Sequence, residues 1–190
     1  KALEQVEAAI KLAGEAQYDF NRELLRVKLL GQRDQSARAL QAADEYAKSP
    51  HAIPENVMRL AEVLHFTFYQ TIDLQNLMEL VFSHPQVTGE RRYRLLRRRA
   101  ACEYGIRRGK TILESMEMRP DDASAAKSGL ELLLSDLNKP GHVETVGQLA
   151  AVAADAAIRV QLLLRQADLY DQVPNRAAAA EIYWRLYTAQ

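Results

Sequence analysis

The sequence predicts an all-α fold, and three observations carry that expectation. Apolar residues recur at steps of three and four over long stretches, and no segment alternates with period two for long enough to argue a strand. The content of alanine, leucine, arginine and glutamate favours helix locally. With 190 residues, 48% hydrophobic and 26% charged, the chain can bury a sizeable core without disulfide or metal and is expected to form one domain over residues 1–190. Its 25 basic and 25 acidic side chains cancel, which argues against a globally basic nucleic-acid or membrane-surface binder. Cys102 stands alone, excluding an intrachain disulfide framework and a multi-cysteine zinc site. Residues 149–160, the longest apolar stretch, are interrupted by Asp155 and Arg159 and are too short to span a bilayer, so no membrane insertion is expected. A soluble protein follows, the cytoplasm favoured over the periplasm.

Along the chain, Leu3, Val6, Ile10, Ala13, Gln17, Phe20, Leu24 and Val27 place one stripe along a helix. Prolines and glycines then gather into turns: Ser49-Pro50-His51 with Pro54, His84-Pro85 through Gly89, Arg119-Pro120-Asp121-Asp122, Asn138-Lys139-Pro140-Gly141, and Val173-Pro174-Asn175. A second stripe joins Val143, Val146, Ala150, Ala153, Ala157, Val160, Leu164 and Ala167. Asp121 or Asp122 is placed to cap a helix starting at Ala123, and Asn175 to cap the alanine run after it. Gly31, Gly109 and Gly141 suit helix ends.

Pro50, Pro85 and Pro120 are spaced by 35 residues, and each follows a helical segment ending in a polar residue. A period in this range marks helical hairpins that stack, each burying its face on the next. The hairpin Leu163-x-x-Gln166-Ala167-x-x-Tyr170 followed by Ala179-x-x-x-Tyr183-x-x-Leu186 resembles the tetratricopeptide repeat, and Val57-x-x-Leu60-Ala61-x-x-Leu64 with Leu77, Leu80 and Pro85 fits the same frame. Arg97 stands where that family has a small residue. The segment 113–120 is also similar to the end of a pentatricopeptide unit, without that family's opening string. The tetratricopeptide resemblance implies a right-handed α-solenoid of about five helix-turn-helix hairpins acting as a non-catalytic protein-interaction scaffold or adaptor, with a partner segment in a concave groove. The alternative is an antiparallel helical bundle in which residues 3–27 and 143–167 are single long helices.

Chemical motifs are sparse. Glu62-x-x-His65 has the spacing of a carboxylate–imidazole pair for iron, but His51, His84 and His142 carry no second copy, so no metal is expected. Gly105-Ile106-Arg107-Arg108-Gly109-Lys110-Thr111 is one residue short of a phosphate-cradling loop and lacks a preceding strand; it reads as a glycine-punctuated turn. No nucleophile signature occurs, and neither enzyme activity nor a cofactor is expected.

The sharpest feature is residues 91–110, with eight arginines and one lysine against Glu103 alone, a local charge of +8. On one helix, Tyr93, Leu96, Ala100 and Tyr104 share an arc opposite the arginines. Arg91, Arg94 and Arg98 step by three and four, and with Met58, Glu62 and His65 they are the expected partner-binding residues. The expected ligand is an acidic peptide segment of another protein, gripped by guanidinium forks. The alternative is RNA or another single-stranded nucleic acid, stacked on Tyr93 or Tyr104. Lys1 opens inside a stripe, and Tyr183, Trp184 and Tyr187 crowd the last helix. Both ends therefore suggest a fragment of a longer protein, continued at the aromatic face or dimerised through it.

Overall fold

The computed structural model describes residues 1–13, 19–68, 72–119, 123–173 and 175–188. Those residues form eleven α-helices and no strand: α1 (Ala2–Ala13), α2 (Phe20–Gly31), α3 (Ser36–Ala47), α4 (Pro54–Phe68), α5 (Gln75–Phe82), α6 (Gly89–Ala101), α7 (Gly105–Glu117), α8 (Ala123–Asp136), α9 (Val143–Val152), α10 (Ala156–Gln172) and α11 (Arg176–Thr188). The chain is therefore all-α. It divides into two compact units, Lys1–Arg98 and Arg99–Gln190, the division falling within α6.

Side-chain caps set several of these starts. Asp19 is extended and accepts from the Asn21 amide at 3.0 Å to open α2; Asp155 accepts from the Ile158 amide at 2.9 Å to open α10. Asn175 accepts from the Ala178 amide at 3.4 Å at the head of α11, as its place before the alanine run predicts. Pro120, Asp121, Asp122 and Pro174 lie outside the described residues.

Three expected continuous helices are broken. The stripe over residues 3–27 belongs to two helices, α1 and α2. The stripe over residues 143–167 is cut at Ala153, whose backbone turns extended, and Arg159 folds back so that Nε and Nη2 donate to the Ala153 carbonyl at 3.1 and 2.7 Å. Freed carbonyls at the end of α9 are thereby satisfied. The break also shifts the apolar phase: Leu149 and Ala150 before it share one core with Leu162 and Leu169 after it, while Ala157 and Val160 of the expected stripe are exposed. Likewise residues 91–110 form two helices, α6 and α7, parted by Cys102–Tyr104, with Gly105 at φ 55° starting the second. Gly109 is no helix end: it lies inside α7, where a Cβ would meet Leu149 Cδ1 at 2.5 Å, so the missing side chain lets α7 approach α9.

In the first unit α2 packs on α3 and α4, and α3 on α4 and α5. The core holds Val27, Leu30, Ala39, Ala43, Met58, Leu60, Leu64 and Leu77. Tyr46 ties the turn after α3: its hydroxyl donates to the His51 carbonyl at 3.2 Å and accepts from the Ile53 amide at 3.3 Å. In the second unit α7 packs on α8 and α9, α9 on α10, and α10 on α11. Leu133, Leu149, Leu162 and Leu169 are fully enclosed there, and Ala167, Ala179 and Ile182 close a smaller cluster beside them. Helices α2, α4, α6, α8 and α10 start at Phe20, Pro54, Gly89, Ala123 and Ala156, at intervals of 34, 35, 34 and 33 residues.

Candidate interaction surface

Two ion pairs join α4 to α6. Arg91 donates from Nε to Glu55 Oε1 at 2.6 Å and from Nη2 to Oε2 at 2.5 Å; Arg98 donates from Nε to Glu62 Oε1 at 2.6 Å and from Nη2 to Oε2 at 2.8 Å. Both are two-pronged forks, the strongest geometry for a guanidinium and a carboxylate. Partners are 36 residues apart in each case, and the two forks are separated by seven residues on each helix, so α4 and α6 run side by side in the same direction. The same offset recurs two helices earlier, where a Cβ on Gly31 of α2 would meet Thr67 Cγ2 of α4 at 2.7 Å. The hydrogen bonds from Arg91 hold the Glu55 carboxyl below its usual range, and Glu55 in turn raises the Arg91 guanidinium.

The structure sorts the expected partner-binding residues into three groups. Met58 is 0% exposed and His65 5%, so both lie in the unit's interior instead of on a groove wall. The reason is that α4 is covered by α2, α3 and α5, which widens its buried stripe to take in Val57, Met58, Leu60, Ala61, Leu64 and His65. Glu62, Arg91 and Arg98 are on the surface but committed to the forks. Arg94 is 69% exposed, with Glu90 the nearest carboxylate at 4.0 Å. On α4, Glu55, Arg59, Glu62 and Phe66 step by four, three and four along one stripe, and Arg59 and the 62%-exposed Phe66 stand out from it. Glu55, Arg59 and Phe66 escaped the sequence reading. For Glu55 the signal was present in its 36-residue distance from Arg91.

Two further cations of residues 91–110, Arg99 and Arg108, are also matched by acids. Arg99 Nε donates to Glu103 Oε1 at 2.7 Å, and the buried Thr111 hydroxyl donates to Glu103 Oε2 at 2.5 Å, stapling the turn between α6 and α7. Arg108 pairs with Asp136 at 3.1 Å, while Arg92 lies over the Phe82 ring at 5.3 Å. Tyr104 is exposed outside α6, off the arc it was expected to share with Tyr93, Leu96 and Ala100.

The second unit carries an open trough of about 610 Å³ between α9, α10 and α11. Ala150, Ala151 and Leu163 line its apolar part, and Glu144, Gln148, Arg159, Gln166, Tyr170 and Arg185 its polar part. Nearby on α11 the Tyr183 hydroxyl donates to Asp168 at 3.0 Å, and burial followed by the two aspartates beside it pushes the phenol up to about 12. Trp184 and Tyr187 are 65% and 73% exposed, their rings 6.1 Å apart.

Among the described residues no three His, Cys, Asp or Glu side chains gather as a metal-binding group, and no helix is long and apolar enough to cross a membrane. Comparison of the chain with protein-family models, with curated proteins and with solved structures finds no match.

Proposed function

We propose that this chain is a non-catalytic helical-repeat scaffold that holds a segment of another protein against the wall formed by α4 and α6. The reading takes α2 to α11 as about five hairpins of a right-handed α-solenoid, similar to tetratricopeptide repeats. Support comes from the near-constant spacing of helix starts and from α2 and α3 each packing on the next helix and the next but one in the first unit. One observation carries the functional part: the paired forks align α4 and α6 and leave Arg59, Phe66 and Arg94 exposed on the stripes that flank them. The exposed guanidinium groups of Arg59 and of Arg94, the latter only at 4.0 Å from Glu90, beside an exposed ring suit an acidic segment carrying an apolar residue.

The test compares an acidic peptide with a single-stranded RNA of similar charge, each labelled and followed by fluorescence anisotropy. Arg59→Glu with Arg94→Glu should abolish peptide binding while the melting temperature holds, because exposed charges contribute little to stability. Retained peptide binding, or loss of RNA binding alone, overturns the reading. Small-angle scattering tests the architecture: a curved, elongated particle fits the solenoid, and a compact globule favours the bundle.

A further inference from the structure

We infer that the trough between α9, α10 and α11 is a second docking site, for a peptide segment that sets a carboxylate beside a large apolar side chain. This site stands independently of the α4–α6 wall. Its geometry is antiparallel: Gln166 of α10 donates from Nε2 to the Val143 carbonyl at the start of α9, and Arg159 of α10 donates to the Ala153 carbonyl after its end. Arg159 therefore stands at one end of the trough, and Glu144 at the other.

Arg159 is fixed in place by neutral carbonyls, so its charge is held but not cancelled, and Nη1 takes no part in those bonds. Arg185 enters the same trough from α11. Neither has a carboxylate partner among the described residues, which sets them apart from Arg91, Arg98, Arg99 and Arg108. The Tyr170 hydroxyl is also without a hydrogen-bond partner among the described residues. The floor is shaped for occupancy: Gly147 lacks the Cβ that would run into the Gln166 amide, and the small Ala150 and Ala151 leave room above it.

Charge complementarity selects the occupant. A guanidinium pair over an apolar floor binds a carboxylate whose neighbour buries a hydrocarbon side chain, and Glu144 leaves the opposite end unfavourable for a second acid. The trough is open along its length, with Gln148, Ala151, Arg159 and Arg185 all exposed. A small molecule is usually engulfed by its pocket, whereas a chain segment can lie in a trough with one side in water.

The experiment uses the full chain, isotope-labelled, and follows backbone amide shifts while acetyl-Leu-Asp-Leu amide is titrated in. Acetyl-Leu-Asn-Leu amide and acetate alone serve as comparisons. Saturable shifts confined to α9–α11 are expected, with binding about tenfold weaker for the asparagine peptide, in line with loss of one charge-assisted hydrogen bond. Arg185→Glu should weaken binding by at least as much, and Ala151→Trp, at an exposed position, should block it without changing the melt. The double variant Arg59→Glu with Arg94→Glu should bind as the parent does, which separates failure of this site from failure of the scaffold wall. Absence of saturable shifts, equal binding of both peptides, an acetate response equal to the peptide's, or unchanged binding by both trough variants overturns the inference.

Discussion

Arginines of two kinds occupy this molecule. On α6, Arg91 and Arg98 sit in a run so basic that it dominates the sequence, yet each closes a two-pronged fork on a carboxylate of α4. On α10 and α11, Arg159 and Arg185 follow Asp155 and Glu181 by four residues, yet neither pairs with a carboxylate among the described residues. The difference teaches that charge density along a chain and free charge on a fold are separate quantities. A dense run recruits its counter-charges from the neighbouring helix, whereas an isolated arginine held by carbonyls keeps its field.

The sharpest way to break that comparison is at the best-enclosed pair. Glu103 accepts from both Arg99 and Thr111, and its side chain is only 9% exposed. Glu103→Ala leaves a guanidinium and a buried hydroxyl short of an acceptor, and a loss of about 2 kcal/mol is expected in chemical denaturation. Glu103→Gln, which retains acceptor capacity, should recover part of it. If the alanine variant is as stable as the parent, the basic run is not secured by its partners and the contrast between the two kinds of arginine fails.

Next in size is the α4–α6 ladder. The pairs are partly exposed, with Arg91 at 25% and Glu55 at 40%, so solvent and salt screen them. Arg91→Met or Arg98→Met should each cost about 1 kcal/mol, the bidentate geometry placing them at the upper end for surface pairs. Arg185→Met should leave the melt within about 0.5 kcal/mol of the parent, because no ion pair is lost. The swap Glu55→Arg with Arg91→Glu should restore most of the loss. Equal effects at Arg91 and Arg185 would erase the distinction.

The sequence shows helix, turn and period more readily than it shows partnership. Ala167 and Ala179, the alanines of the last hairpin pattern, pack in one cluster between α10 and α11. Pro50 and Pro85 do fall in the connections after α3 and α5. The breaks at Ala153 and at Cys102–Tyr104 were hidden because apolar residues on both sides of each serve one core, and because Ala157 and Val160, exposed in the fold, continue the spacing past the first of them. Within the candidate site, Arg94 is exposed, whereas Met58 and His65 are not surface residues. Four-residue spacing describes one face of a helix; it does not say how many neighbours will cover that helix, and α4 has three in its own unit. The trough was invisible for a related reason: Arg159 and Arg185 carry no local pattern and line one trough only when α10 and α11 fold against each other.

The smallest expected effect concerns two acids that titrate in opposite directions. The hydrogen bonds from Arg91 lower the Glu55 carboxyl from 4.5, so its pairing stabilises the fold above that value and is lost as pH falls through the folded-state pKa. Burial raises the Glu23 carboxyl of α2 above 4.5, with Arg26 opposing the shift and Glu45 of the facing α3 adding to it. Between 4.5 and its folded-state pKa, Glu23 binds a proton more readily in the folded chain than in the unfolded one, so stability falls as pH rises across that window. Melting curves from about pH 3 to about pH 7 for Glu55→Gln and Glu23→Gln separate the two. Glu55→Gln should be less stable than the parent at neutral pH and converge with it in acid. Glu23→Gln should melt slightly higher than the parent at neutral pH and lose that advantage in acid, since the amide carries no charge to desolvate. A lower melt for Glu23→Gln at neutral pH would mean that the Arg26 pairing, at 3.6 Å, outweighs burial, and would move Glu23 into the same class as the partnered acids of the ladder.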